Sequence, residues 1–295
     1  MRILAATDFS TRSQRALRRA GLLARDTGAE LTLVHVVDDD QPQDLIEMEG
    51  REAKRILAEQ VGVMPEFRGV QCYPIVTTGD PFDAILRTAA NLNTDLIVMG
   101  AHRKQFLRDV FVGTTIERVI RSGPYPVLMV NNEVQGDPYR TVLAPVDMSE
   151  PSANAIRVAQ TLGLIDDARV TLIHAFHPFA KAKMTITGLD QASIDEYVAS
   201  QRQTARAELS GFLVATGFGG TGWSRRIEEG RAFEVISHAV NETRPDLLVI
   251  GTHGRSGLMK LLLGSVTEEI LRSLNVDILV VPPVRDSDYA DASRV

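Results

Sequence analysis

Gly251, Gly254, Gly264 and Ser265 are spaced as glycine, two residues, glycine, nine residues, glycine-serine. An apolar run over residues 246–250 precedes them and reads as a buried strand. Ser265-x-x-Glu268 follows and reads as the capping box that opens a helix. A strand, a glycine-spaced loop and a helix start make an anion site. Glycines let the backbone come close, and the N–H groups of a first helical turn point outward at the ligand. Gly254 permits a positive φ in a tight turn, and Gly264 removes the Cβ that would stand between an anion and the helix start. Ser265 and Thr267 add hydroxyls. A strand-to-helix connection that binds nothing could carry the same letters, so the rest of the chain has to decide.

The elements that would position this loop occur twice. In the first half, alternation and turn residues predict strands over 2–7, 30–37, 71–77, 95–99 and 126–130. Helices are predicted between them over 11–27, 43–60 and 80–91 and from Thr114-x-x-Glu117 onward, with Thr11-x-x-Gln14 as a first capping box. Residues 131–139 are polar, hold Gly136 and Pro138, and read as a linker. The pattern then restarts. Strands are predicted over 140–146, 169–175, 223–227, 246–250 and 277–281, and helices over 151–162, 191–215, 233–243 and 265–273, with an insertion before 191. Thr7-Asp8-Phe9-Ser10 matches Val146-Asp147-Met148-Ser149, and 95–100 matches 246–251. Strands alternating with helices demand parallel pairing. Each half is therefore expected to be a doubly wound α/β domain, over 1–131 and 140–282, followed by a polar tail over 283–295. Such sheets bind ligands at the carboxyl ends of their strands. Asp8, Gly100, Asp147 and Gly251 all fall there.

Asp147 has two readings, an acceptor for a ribose hydroxyl or a helix-capping carboxylate. His253 is either a phosphate donor or an exposed loop histidine. His174 and His177 lack a third ligand at metal spacing, so His174 is read as a strand-end histidine. Residues 217–222 fit GxGxxG but follow a helix and precede a strand, the reverse of the dinucleotide context, and are read as a loop. There is no GxxxxGK(S/T), and no Ser–His–Asp set is signalled, so no catalytic residue is assigned.

With these residues in view the chain resembles the universal stress protein family, in its tandem, two-domain form. Gly251, Gly254, Gly264 and Ser265 satisfy the family's nucleotide pattern G-2x-G-9x-G-(S/T), with His253 and Val266-Thr267 also typical of it. The resemblance implies a Rossmann-like, adenine nucleotide alpha hydrolase-like fold in both halves. It implies ATP, ADP or AMP as ligand, accompanied by Mg, with no metal held by protein side chains. Asp147 would meet the ribose, Val146 and Ala175 would lie near the adenine, and Gly251, His253, Gly254, Arg255, Gly264, Ser265 and Val266 would surround the phosphates. It also implies that 127–130 and 278–281 pair within the chain as a pseudo-dimer, leaving open a further homodimer and an unidentified protein partner. The first half departs from the pattern. Gly100, Arg103, Gly113 and Thr114 keep the spacing, but Arg103 replaces the second glycine and would cost about 1 kcal/mol or more at positive φ. Asp8 is retained. The first site is expected to be degenerate, with an altered nucleotide site as the alternative.

Bulk properties fit this reading. The chain has 295 residues, 44% of them hydrophobic, enough for two cores. No run approaches the ~18 apolar residues of a membrane span. One cysteine, Cys72, excludes an internal disulfide, fits a cytoplasmic location and is expected in the core. A net charge of −6 argues against broad electrostatic binding to nucleic acid. The expectation is a nucleotide-binding regulatory protein of the stress response, binding mainly in its second half. The alternatives are a slow ATPase or nucleotidyl-transfer enzyme using His253, or a scaffold indifferent to nucleotide.

Overall fold

The computed structural model describes residues 1–101, 114–133, 138–252 and 263–283. Its first half runs β1 (Arg2–Ala6), α1 (Thr11–Thr27), β2 (Glu30–Val37), α2 (Gln43–Val63), β3 (Cys72–Thr78), α3 (Pro81–Leu92), β4 (Leu96–Gly100), α4 (Thr115–Ser122) and β5 (Val127–Val130). The second runs β6 (Thr141–Pro145), α5 (Glu150–Thr161), β7 (Arg169–Phe176), α6 (Lys181–Ile186), α7 (Gln191–Ala215), β8 (Ser224–Glu229), α8 (Ala232–Thr243), β9 (Leu247–Gly251), α9 (Ser265–Ser273) and β10 (Asp277–Val281). Two short elements were not expected: a 3-10 turn at Pro65–Phe67 and α6, inside the second-half insertion.

The strands form one ten-stranded sheet in the order β3-β2-β1-β4-β5-β10-β9-β6-β7-β8. Within each half every described pairing is parallel, as the alternation demanded. The halves meet where β5 pairs antiparallel with β10, in the register Met129 to Ile278, Leu128 to Leu279 and Val127 to Val280. The intrachain pairing implied by the resemblance is therefore present. Each of these strands would otherwise be an apolar edge open to other chains.

Helices cover both faces. One face carries α1, α2, α5 and α7, and residues such as Leu17, Leu57, Ile156 and Leu209 join one apolar layer spanning both halves. The other face carries α3, α4, α8 and α9, and Ile85, Ile120, Ile236 and Ile270 join the second layer. Both layers cross the seam, so the two repeats share their cores.

Helix starts follow the sequence with small shifts. Ser10, one residue before Thr11, is the cap of α1, and its hydroxyl accepts from Ser13 N–H at 3.3 Å. Gly28 ends α1 with φ of 68°, a left-handed value that glycine adopts freely. Asp80 caps α3 with Pro81 in its first turn. Thr114 caps α4, accepting from Glu117 N–H at 3.3 Å. The Glu117 carboxylate pairs with Arg121 at 2.7 Å. In α9 the expected cap at Ser265 is corrected: Gly264 is the cap, Ser265 is the first helical residue, and no side chain caps this start.

The segment between the halves is more than a polar linker at its ends. Asp277 is wholly buried. Its Oδ1 accepts from the N–H groups of Asn131 and Asn132, both at 2.9 Å, and its Oδ2 from Tyr139 Oη at 2.8 Å. Arg19 of α1 lies 3.8 Å from the same carboxylate, with its guanidinium 4.3 Å from the Tyr139 ring centroid. One carboxylate thus ties both ends of the connection to α1 and β10. Burial pushes the Asp277 carboxyl up, against the opposing effect of these donors. Cys72 is only half-buried, on the edge strand β3, and burial pushes its thiol up to about 12.

Candidate functional site

Seven residues expected around a ligand come together in one cleft. Val146 and Asp147 enter it from the end of β6, Ala175 from β7, Gly251 from the end of β9, and Gly264, Ser265 and Val266 from the start of α9. Pro145, Ile173, Val235, Ile236 and Ile250 give the cleft apolar walls, and its volume is about 340 Å³. That lies within the ~300–1,000 Å³ typical of small-molecule sites. Expected residues His253, Gly254 and Arg255 lie outside the described residues.

The local chain makes this convergence. Asp147 follows the last residue of β6, and Met148 then takes a φ of 63°. A non-glycine residue at positive φ is uncommon and turns the chain sharply. The turn lets Asp147 Oδ1 accept from both Ser149 N–H, at 3.1 Å, and Ser149 Oγ. Ser149 in turn caps α5, accepting from Ser152 N–H. Asp147 is therefore not itself the helix cap; it braces the cap residue and lines the cleft. On the opposite wall, Thr267 Oγ1 donates to Gly251 carbonyl at 3.0 Å, and Gly264 N–H donates to Thr252 carbonyl at 2.9 Å. These bonds draw the two ends of the loop together. With glycine as cap, the cap residue itself brings no side chain to the N–H groups of the first turn of α9.

The first half builds the same cleft with changes. Asp8, Gly100 and Thr114 line it, with Thr7, Ser10, Arg12, His35, Val36 and Thr115, in a volume of about 640 Å³. Arg103 and Gly113 lie outside the described residues. Phe9 takes a φ of 59°, matching Met148, and Asp8 Oδ1 accepts from Ser10 N–H at 3.0 Å. Burial pushes the Asp8 carboxyl up. The Ser10 and Ser13 hydroxyls and the Ser10 N–H outweigh that and hold it below its ordinary value. Gly100 is required by close approach: a Cβ there would lie 2.7 Å from the Arg12 carbonyl carbon and oxygen. Several substitutions separate the clefts, three of them bearing on ligand access. Arg12 stands where the second half has Pro151, Val36 where it has Ala175, and Thr114 caps a helix whose counterpart is capped by glycine.

Two residues of the site were not anticipated. His174 lines the second cleft and is 9% exposed, and His35 lines the first. Each places Nδ1 against the main-chain carbonyl of the residue before the aspartate. The distances are 2.7 Å from His174 to Val146 and 2.9 Å from His35 to Thr7. The repeat holds the signal: both pairs are separated by 28 residues. Among the described residues no three metal-ligating side chains cluster, and no helix is long and apolar enough to cross a membrane.

A model of the universal stress protein family matches residues 1–131 and again 138–282. The chain belongs to the universal stress protein family. Universal stress protein E of Escherichia coli (strain K12) is 25% identical over 213 residues, covering 71% of this chain and 67% of that protein. A universal stress protein of Mycolicibacterium smegmatis is 24% identical over 307 residues, 95% of this chain and 97% of its own. A crystal structure of a universal stress protein from Archaeoglobus fulgidus DSM 4304 superposes with a TM-score of 0.66 at 18% identity, over 95% of this chain and 98% of that one. At that identity the last likeness speaks to fold. This universal stress protein therefore carries two family repeats in one polypeptide, each with its own cleft.

Proposed function

We propose that this universal stress protein binds an adenine nucleotide, ATP or its di- or monophosphate, in the cleft of its second half, and that binding regulates a partner interaction in a stress response. The observation that carries the reading is the convergence of Asp147, Gly251, Gly264 and Ser265 on one cleft from three separate strand ends or helix starts. A carboxylate faces the ribose side, and a helix start capped by glycine faces the phosphate side, where its N–H groups and dipole favour negative charge. The apolar walls of Ile173, Ala175 and Ile236 suit a planar base. In the first half Arg103 replaces the second glycine and Thr114 occupies one first-turn N–H, so that cleft is the weaker nucleotide site.

The test is thermal unfolding with and without ATP and Mg, joined to mass spectrometry of any ligand released on denaturing the purified protein. At 100 times the dissociation constant, binding stabilises by about 2.7 kcal/mol. Gly264→Val, which puts a branched side chain at the helix start, is expected to abolish the shift, while Arg103→Gly leaves it intact. No shift and no released nucleotide would refute the reading.

A further inference from the structure

We infer that His174 is a positioning residue that sets the Asp147 carboxylate for a ribose hydroxyl. The inference rests on the nucleotide reading of the second cleft. β6 pairs with β7 as far as Pro145 opposite Ile173. Val146 N–H makes one more bond, to Ile173 carbonyl at 2.9 Å, and the chain then turns away through Met148. A parallel ladder would next supply a main-chain N–H to the Val146 carbonyl. The imidazole of His174 supplies a donor there, with Nδ1 at 2.7 Å. A carbonyl oxygen only accepts, so Nδ1 carries the proton. The Val146 carbonyl belongs to the peptide group that enters Asp147. One ring nitrogen thus fixes the plane from which the carboxylate departs, while Ser149 fixes the carboxylate itself.

The same device stands in the first half. His35 Nδ1 lies 2.9 Å from the Thr7 carbonyl, ahead of Asp8, and the Phe9 ring stacks on the imidazole with centroids 4.2 Å apart. The repeats have diverged at Arg12, Val36, Arg103 and Thr114, yet both have a histidine holding the peptide before the aspartate. A packing role alone would need apolar shape at this buried position. A donor aimed at one carbonyl needs Nδ1.

The experiment compares binding of ATP and 2′-deoxyATP by calorimetric titration in the wild type, His174→Asn, His174→Gln and Asp147→Ala. Asparagine places its amide near Nδ1, and glutamine places it near Nε2. The wild type is expected to prefer ATP on the order of ten-fold, the effect of one hydrogen bond to a charged group. His174→Asn keeps that ratio, whereas His174→Gln and Asp147→Ala bring it close to one. Melting curves of the two amide variants check that both fold. An undiminished ratio in His174→Gln, or loss in Asn with retention in Gln, overturns the inference while leaving nucleotide binding in place. Absence of binding in the wild type overturns the nucleotide reading itself, and the inference with it.

Discussion

Replacing Asp277 by alanine removes the one carboxylate that ties β10, α1 and the interdomain connection together. The side chain is wholly buried and accepts three hydrogen bonds of 2.8–2.9 Å, with Arg19 3.8 Å away. The alanine variant leaves the N–H groups of Asn131 and Asn132 and the Tyr139 hydroxyl without this acceptor, and the buried Arg19 without this carboxylate. These losses share partners and do not add. Breaking a buried charge pair by deleting one member costs about 3–5 kcal/mol. At roughly 2–4 °C per kcal/mol for chains of this order of size, the melting temperature falls by about 6–20 °C. Differential scanning calorimetry reads this directly. It also reads whether one transition separates into two, because the lost contacts join the halves. Tyr139→Phe removes one donor to the carboxylate and keeps the others, so its cost is about 1.5–3 kcal/mol. A fall below about 2 °C in Asp277→Ala, with a single unchanged transition, would refute the idea that this carboxylate locks the halves.

Two further outcomes are expected. Gly100→Ala places a Cβ 2.7 Å from the Arg12 carbonyl, so the start of α1 must shift. A cost of about 1–3 kcal/mol should appear as a lower urea midpoint, and an unchanged midpoint would count against the close approach. The folded Asp8 carboxyl lies below its ordinary value of 3.8, so the unfolded chain binds its proton more readily. The contribution of Asp8 is therefore complete above 3.8 and is lost as pH falls through the lower folded value. Asp8→Asn should flatten the acid side of a melting-temperature profile, and a profile parallel to that of the wild type would remove Asp8 from this account.

The repeat made the architecture legible. Once residues 1–131 and 140–282 read as the same run of strands and helices, parallel pairing and the placement of Asp8, Asp147, Gly100 and Gly251 at strand ends followed from geometry. Glycine at 264 and the hydroxyl at 265 had a readable reason in the chemistry of a helix start. What stayed hidden was long-range or very local. Asp277 looked like an ordinary strand residue, because its partners Arg19, Asn131 and Tyr139 are remote in sequence. The positive φ at Phe9 and Met148 carries no residue-type signal, since neither is glycine or asparagine. α6 and the 3-10 turn are too short for periodicity to register. His174 looked like a solitary strand-end histidine because its partner is a main-chain carbonyl, which sequence does not display.

The antiparallel seam at β5 and β10 has a directional consequence. Strand carboxyl ends point one way in the first half and the opposite way in the second, so the two clefts open on opposite edges of a single sheet. Among the described residues the two clefts share no lining residue. Between them lies the shared middle of the sheet. There Arg121 of α4 joins Glu268, in the first turn of the helix whose start lines the second cleft. The molecule is one continuous sheet with a cleft at each end, joined between β5 and β10.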